Sequence, residues 1–99
     1  MPDDYRLLYD ASGTPLAFTR YRWIYNLDGN PIGMTRGNHV YTITGTYIGE
    51  LDNDMVIDTG LKVADTSSPG APQNPGSVRN AKSRDGVANV KSTLERLLG

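Results

Sequence analysis

The sequence predicts an all-β domain in which four consecutive β-hairpins surround an axis as a small, shallow barrel. Glycine recurs at Gly13, Gly29, Gly45 and Gly60, in steps of 16, 16 and 15 residues. A similar phrase of residues surrounds each of these glycines, and a fixed period indicates a repeated structural unit. Glycine and β-branched residues are too frequent within each unit for a helix, so each unit is predicted to be a hairpin.

Composition divides the chain of 99 residues into two unlike segments. Residues 1–65 contain all six tyrosines, the single Trp and the single Phe, with five basic and nine acidic side chains. Residues 66–99 contain no aromatic side chain and carry five basic and two acidic ones. We therefore expect residues 1–65 to form the folded β domain, with a net charge of −4 against +3 for the remainder.

Composition also argues against several classes of site. Because the chain has no cysteine and one histidine, it offers no disulfide, no Cys-ligated metal centre and no thiol nucleophile. We expect no metal site and no cofactor. The sequence contains no run of 18 apolar residues, so no membrane-spanning helix is predicted. The first residues lack the basic–apolar pattern of a secretion signal. A cytoplasmic location is the expectation that follows.

Each repeat is predicted to consist of two short arms joined by a tight turn. A polar side chain that can accept hydrogen bonds from the turn backbone stands three residues before the glycine in the first three repeats. This spacing is typical of a type I turn closed by a left-handed glycine. The fourth repeat is one residue shorter, so its turn must differ. The polar residues are Asp10, Asn26, Thr42 and Asp58.

The returning arm of each repeat places a large apolar residue before a small one. Pro15 and Pro31 begin this arm in the first two repeats, where a missing N–H is tolerated. Small residues at one fixed position indicate a ring, because side chains nearest the axis have the least room. The small residues are Ala17, Gly33, Gly49 and Ala64.

Short links join the hairpins, and by repeat symmetry they lie on one rim of the barrel. Together, the first link and its neighbour place three arginines and two aromatic residues on one side of that rim. Arginine suits phosphate groups, and amphipathic rings favour membrane–water interfaces, so an anionic head group is the predicted ligand. The predicted ligand-binding residues are Arg20, Tyr21, Arg22, Trp23 and Arg36.

Two other polar features are interpreted as structural. His39 could act as a general base, but no matched Ser or Asp partner is evident, so we interpret it as a strand-end residue and assign no catalytic residue. The run Asp52-Asn53-Asp54 resembles the start of a calcium loop. Because Met55-Val56-Ile57 continues as a strand, we interpret the run as a turn.

The remainder of the chain is predicted to be a disordered linker over residues 66–85, rich in Pro, Gly and Ser, and an amphipathic helix over residues 86–98. A helix of this length needs a partner: its own barrel, a second copy or another protein. Docking on another protein or on a membrane is the favoured alternative. The predicted partner-binding face comprises Val87, Val90, Leu94 and Leu97.

The repeated phrase Gly-x-Pro-Leu/Ile-Ala/Gly, which follows an aromatic-bearing arm and an Asp or Asn, resembles the four-fold beta flower family. The resemblance covers about residues 5–65, with its closest match over Gly13–Phe18. It implies a shallow, four-petalled barrel of hairpins, similar to Tubby C-terminal and scramblase-like barrels, many of which act at phospholipid membranes. It implies no settled activity. Tyr47 stands where the first two repeats have proline.

Three hypotheses for function follow. The first is a non-enzymatic binding module that uses the C-terminal helix to bind a partner or a second copy. The second is peripheral binding to a phospholipid surface through the arginine-rich rim. The third, ranked lowest, is an enzyme that uses His39 and a neighbouring carboxylate. Nucleic acid is not expected as a partner, because the folded part is acidic.

Overall fold

Seven antiparallel strands follow one another in chain order, each hydrogen-bonded to the next, and together they form a nearly closed barrel. The computed structural model describes residues 4–98. The all-β class is confirmed, and the first three repeats each form a complete hairpin. The strands are β1 (Arg6–Tyr9), β2 (Pro15–Arg20), β3 (Trp23–Asn26), β4 (Pro31–Arg36), β5 (His39–Thr42), β6 (Tyr47–Asp52) and β7 (Met55–Ile57).

The three hairpin turns have the predicted chemistry. Asp10 Oδ1 accepts hydrogen bonds from the backbone N–H groups of Ser12 at 3.0 Å and Thr14 at 2.9 Å. Burial acts to raise the pKa of Asp10, but hydrogen bonds from Ser12 and Thr14 outweigh it and hold the pKa below its usual range. A left-handed glycine closes each turn. The φ angles of 92°, 89° and 101° belong to Gly13, Gly29 and Gly45.

The main core joins apolar side chains of the strands to two leucines from the C-terminal end of the chain. Each large aliphatic side chain that is fully buried stabilises the fold by about 1.5–3 kcal/mol. Leu94 is completely buried and Leu97 is 8% exposed, so the C-terminal end belongs to the core. The cluster comprises Leu8, Ala17, Ile24, Val40, Ile48, Val56, Leu94 and Leu97.

The small residues of the returning arms allow neighbouring strands and the C-terminal leucines to approach closely. A Cβ on Gly33 would lie 2.8 Å from the carbonyl oxygen of Tyr41 and 3.1 Å from Cδ1 of Leu97. Since ordinary Cβ contacts lie beyond these distances, the packing requires a glycine there. The prediction of buried small residues is confirmed for the first three repeats.

The eighth strand, predicted at the end of the fourth repeat, is not formed. Ala64 is exposed, and residues 91–93 occupy the edge of β7 instead. Ile57 and Ser92 form an antiparallel bridge, and the Thr93 N–H donates to the Val56 carbonyl at 2.8 Å. The physical reason is that residues 91–97 bury more apolar surface than the returning arm would. They add two leucines to the core, whereas the returning arm offers a valine and an alanine.

The segment between β7 and residue 91, here called the strap (residues 58–90), contacts the hairpin turns in reverse chain order. The structure therefore does not support the disordered linker expected over residues 66–85. Turn carbonyls that point away from the barrel need donors, and the strap backbone supplies them. Its N–H groups donate from Thr66 to Gly45 at 2.8 Å, from Val78 to Leu27 at 2.8 Å and from Arg84 to Gly13 at 2.9 Å.

The strap also covers a second apolar cluster on the outside of the first two hairpins. Phe18 and Tyr25 stack with ring centres 5.1 Å apart, and Tyr5 meets Phe18 edge-on at 5.8 Å. Val78 of the strap packs against this cluster and is 5% exposed. The strap therefore adds apolar burial as well as hydrogen bonds.

The α-helix predicted over residues 86–98 is wrong. Within the described residues, the one helical element is a 3-10 helix of four residues, Leu94–Leu97. Ser92 bridges Ile57, and backbone hydrogen bonds join Lys91 to Asp58 and Thr93 to Val56. This pairing with β7 prevents an α-helix from passing through residues 91–93. Leu94 and Leu97 share a face because residues three apart eclipse in a 3-10 helix. No helix between residues 4 and 98 has the length and apolar character to cross a membrane.

Candidate functional site

The links between hairpins lie at one end of the barrel, here called the link rim. The first residues of the three links, Tyr21, Gly37 and Asn53, have φ angles of 58°, 59° and 51°. Glycine and asparagine adopt this left-handed conformation readily, whereas a tyrosine Cβ meets a backbone carbonyl there. Tyr21 is nevertheless 78% exposed, so no burial of its ring offsets the strain.

Arginine and aromatic side chains alternate along the first link. The guanidinium carbon of Arg20 lies 5.2 Å from the ring centre of Tyr21, and that of Arg22 lies 5.9 Å from the ring of Trp23. Burial raises the pKa of Tyr25, and the positive charge of the half-buried Arg20 opposes that rise. The first link thus presents positive charge together with exposed ring surface.

A main-chain contact holds Arg36 beside the first link. The Arg22 carbonyl accepts hydrogen bonds from the Thr35 N–H at 2.7 Å and from Thr35 Oγ1 at 3.3 Å. Thr35 directly precedes Arg36 at the end of β4, and both Arg22 and Arg36 are exposed. Between residues 4 and 98, neither of these two arginines forms an ion pair. The structure therefore brings the five predicted residues to one sector of the rim.

The third link is acidic, but arginines from elsewhere in the chain neutralise part of its charge. Asp54 Oδ1 lies 3.1 Å from Arg6 Nε, and its Oδ2 lies 3.9 Å from Arg84 Nη1. Arg84 Nη2 also donates to the Asn53 carbonyl at 2.5 Å, and its guanidinium lies 4.2 Å from the ring centre of Tyr9. Internal contacts occupy this part of the rim, whereas Arg22 and Arg36 form no ion pair within residues 4–98.

Comparison with known families places the chain. The model of the 4-fold beta flower protein family matches residues 6–95. The chain belongs to this family. The match extends beyond the strands and includes the whole strap and the residues that pair with β7. No curated protein and no solved structure matches the chain.

This beta flower barrel contains a polar cluster that the sequence analysis missed. Glu50 Oε2 lies 2.7 Å from His39 Nδ1 and accepts a hydrogen bond from the Tyr47 hydroxyl at 2.6 Å. Burial, together with the hydrogen bond and charge of Glu50, raises the pKa of Tyr47 to about 12. The register of β5 and β6 pairs His39 with Glu50, so repeat alignment of the two arms could have revealed this contact.

The four residues of the predicted partner-binding face differ in their burial in the beta flower fold. Leu94 and Leu97 are buried in the barrel, so they do not form an exposed face in this structure. Val87 and Val90 are half-buried, and the Val87 N–H donates to the Ala11 carbonyl at 2.7 Å. Of the three partners considered for this segment, the structure shows its own barrel.

The chemistry available to the link rim is electrostatic and interfacial. Across residues 4–98 the structure has no pocket, and it has no group of three or more His, Asp or Glu side chains that could hold a metal ion. Exposed guanidinium groups can donate two parallel hydrogen bonds to a phosphate group. Flanking Tyr and Trp rings are suited to the boundary between water and lipid.

Proposed function

We propose that this beta flower domain is a non-enzymatic binding module that attaches to anionic phospholipid surfaces through the basic sector of its link rim. The basic sector comprises Arg20, Tyr21, Arg22, Trp23 and Arg36. The proposal includes a cytoplasmic location with peripheral association at a membrane.

The observation that carries the proposal is the exposed Tyr21 on a left-handed backbone. Its φ of 58° is unfavourable for an aromatic residue, and 78% exposure means that packing does not offset this cost. Gly37 and Asn53, at the equivalent repeat positions, avoid the strain. A residue that has an unfavourable backbone conformation without a packing benefit is typical of a functional position.

Electrostatics support a weak and reversible attachment. Each basic residue near an anionic membrane surface contributes about 1 kcal/mol, so the two exposed arginines, Arg22 and Arg36, contribute roughly 2 kcal/mol before any ring contact. The net charge of the whole chain is −1, which means that attraction must come from the basic sector and not from the molecule as a whole. Binding should therefore weaken as salt screens these charges.

Co-sedimentation with vesicles tests the proposal. The unsubstituted protein should sediment with vesicles that contain phosphatidylserine and remain in solution with pure phosphatidylcholine vesicles. The double variant Arg22→Ala/Arg36→Ala should lose most of this binding, because these two exposed guanidinium groups supply the phosphate contacts. Arg79→Ala/Lys82→Ala is the matched control, since it removes the same charge from exposed positions of the strap. Equal binding by the two double variants would refute the proposal.

A protein partner or a second copy, bound through residues 86–98, is the second candidate. The spacing of Val87, Val90, Leu94 and Leu97 supports it, because these residues would share one face of a helix. This binding requires Leu94 and Leu97 to leave the barrel, so it depends on a change in the structure beside β7.

A further inference from the structure

We propose that the edge of β7 is a two-state element that pairs either with residues 91–93, as observed, or with the returning arm of the fourth repeat, residues 61–64. Exchange between these two segments would release the C-terminal end of the chain. The second candidate function above rests on this release, whereas the exchange itself does not require any partner.

The returning arm has the sequence of a strand but lies outside the core. From Gly60 to Val63-Ala64, the spacing equals that from Gly45 to Ile48-Gly49, which forms part of β6. Leu61, within this arm, is 55% exposed and Ala64 is exposed. The segment therefore retains the pattern of an eighth strand while another segment fills the place of that strand.

The observed occupant fits this place imperfectly. Thr93 lies where repeat symmetry puts the small residue Ala64, and a Cβ on Gly49 would lie 2.7 Å from Thr93 Oγ1. Thr93 is 1% exposed, and its buried hydroxyl has no hydrogen-bond partner among residues 4–98. A buried polar group without a partner destabilises the state that contains it, and Ala64 at the same position would carry no such group.

The two states differ in what they bury. The observed state gains Leu94 and Leu97 in the core, at the expense of a Thr93 hydroxyl that has no partner within the described residues. The alternative state buries Val63 and Ala64 and leaves the C-terminal residues free, with the apolar spacing of an amphipathic helix. A partner that binds only the released segment would shift the equilibrium toward the alternative state.

A double-mutant cycle on the full chain tests the exchange. Leu97→Ala weakens the observed state, and Val63→Asp makes the alternative state unfavourable. In the otherwise native chain, Val63→Asp should change Tm by less than about 2 °C, whereas in the Leu97→Ala background it should lower Tm by about 5 °C more. The same change in both backgrounds would overturn the proposal. Ala71→Asp, an exposed strap substitution, is the control that should act equally in both.

Hydrogen exchange provides a second measurement if Leu97→Ala fails to fold. The Thr93 amide, which donates to the Val56 carbonyl, should exchange on the order of tenfold faster than the amides of β3 and β4, because it opens without global unfolding. Thr93→Val removes the unpaired hydroxyl, so it should slow exchange of that amide. Equal rates for residue 93 and for β3, with no response to Thr93→Val, would also overturn the proposal.

Discussion

The two ends of the barrel arise from the same repeat but use their residues differently. At the turn end, the glycines lie against the strap, and a Cβ on Gly45 would overlap the carbonyl oxygen of Thr66. At the link rim, nothing lies within 4 Å of a Cβ on Gly37, and Tyr21 occupies a backbone conformation that disfavours it. Packing therefore explains the residues of the turn end, whereas it does not explain the residues around Tyr21, for which we propose a role in binding.

The C-terminal leucines should give the largest loss when truncated. Leu94→Ala removes a completely buried side chain from the barrel core and should lower the free energy of unfolding by about 3–4 kcal/mol. Leu98→Ala, at a residue that is 42% exposed, should change it by less than about 0.5 kcal/mol. Urea unfolding followed by circular dichroism measures both. Similar losses for the two variants would show that the C-terminal end does not belong to the core.

Substitution of the turn glycines should give the next largest loss of stability. Gly45→Ala introduces a Cβ that overlaps Thr66 at a φ of 101°, so we expect a loss of about 2–3 kcal/mol. Gly60→Ala, where φ is 78° and no atom lies within 4 Å, should cost only about 1 kcal/mol. Thermal unfolding of the pair measures the difference. If both lose the same amount, the strap does not press against the turn end as described.

Alkaline pH should reveal the Tyr47 hydrogen bond. Its pKa is about 12 in the folded chain against 10 for an ordinary tyrosine, so the unfolded chain loses the proton first as pH rises. Stability from this group is fully present below pH 10 and is lost between about pH 10 and 12. Tyr47→Phe should cost about 1 kcal/mol at pH 8 and should reduce this alkaline loss. Tyr21→Phe is the control, and a pH profile unchanged by Tyr47→Phe would contradict the assignment.

Tyr21→Gly should give the smallest change in the free energy of unfolding, and this change should be an increase. Tyr21→Gly removes the strain of a tyrosine in the left-handed conformation, which is about 1–2 kcal/mol. The added freedom of glycine in the unfolded chain offsets about 0.5–1 kcal/mol of that gain. The free energy of unfolding should therefore rise by about 0.5 kcal/mol, which corresponds to a Tm increase of roughly 2–4 °C. Differential scanning calorimetry is sensitive enough to detect it, and a clear decrease would contradict the strain argument.

Sequence reasoning predicted the parts of this fold that depend on local patterns. The turn at Asp10 and the glycine three residues later follow from backbone chemistry within a single hairpin, and the buried Gly33 follows from comparison of repeats. The fourth repeat could not be resolved in this way, because its returning arm and residues 91–97 compete for one strand edge. Their relative burial depends on the three-dimensional core and not on either local sequence.

The strap and the polar cluster escaped prediction for a related reason. Contacts of the strap with the turns include backbone hydrogen bonds, which leave no trace in hydrophobic spacing, so a chain rich in Pro and Gly was interpreted as disordered. Leu94 and Leu97 suit one face of an α-helix and one face of a 3-10 helix alike. The contact between His39 and Glu50 depends on strand register, whereas the link-rim residues were found because repeat symmetry alone brings them together.

The central claim, that the basic sector around Tyr21 exists for binding and not for stability, is tested most directly by measuring Tyr21→Gly in two ways. Vesicle co-sedimentation and thermal unfolding of the same preparation should move in opposite directions, with weaker attachment to phosphatidylserine vesicles and a higher Tm. Tyr21→Phe should retain both native values. A variant with a higher Tm and undiminished attachment would contradict the claim.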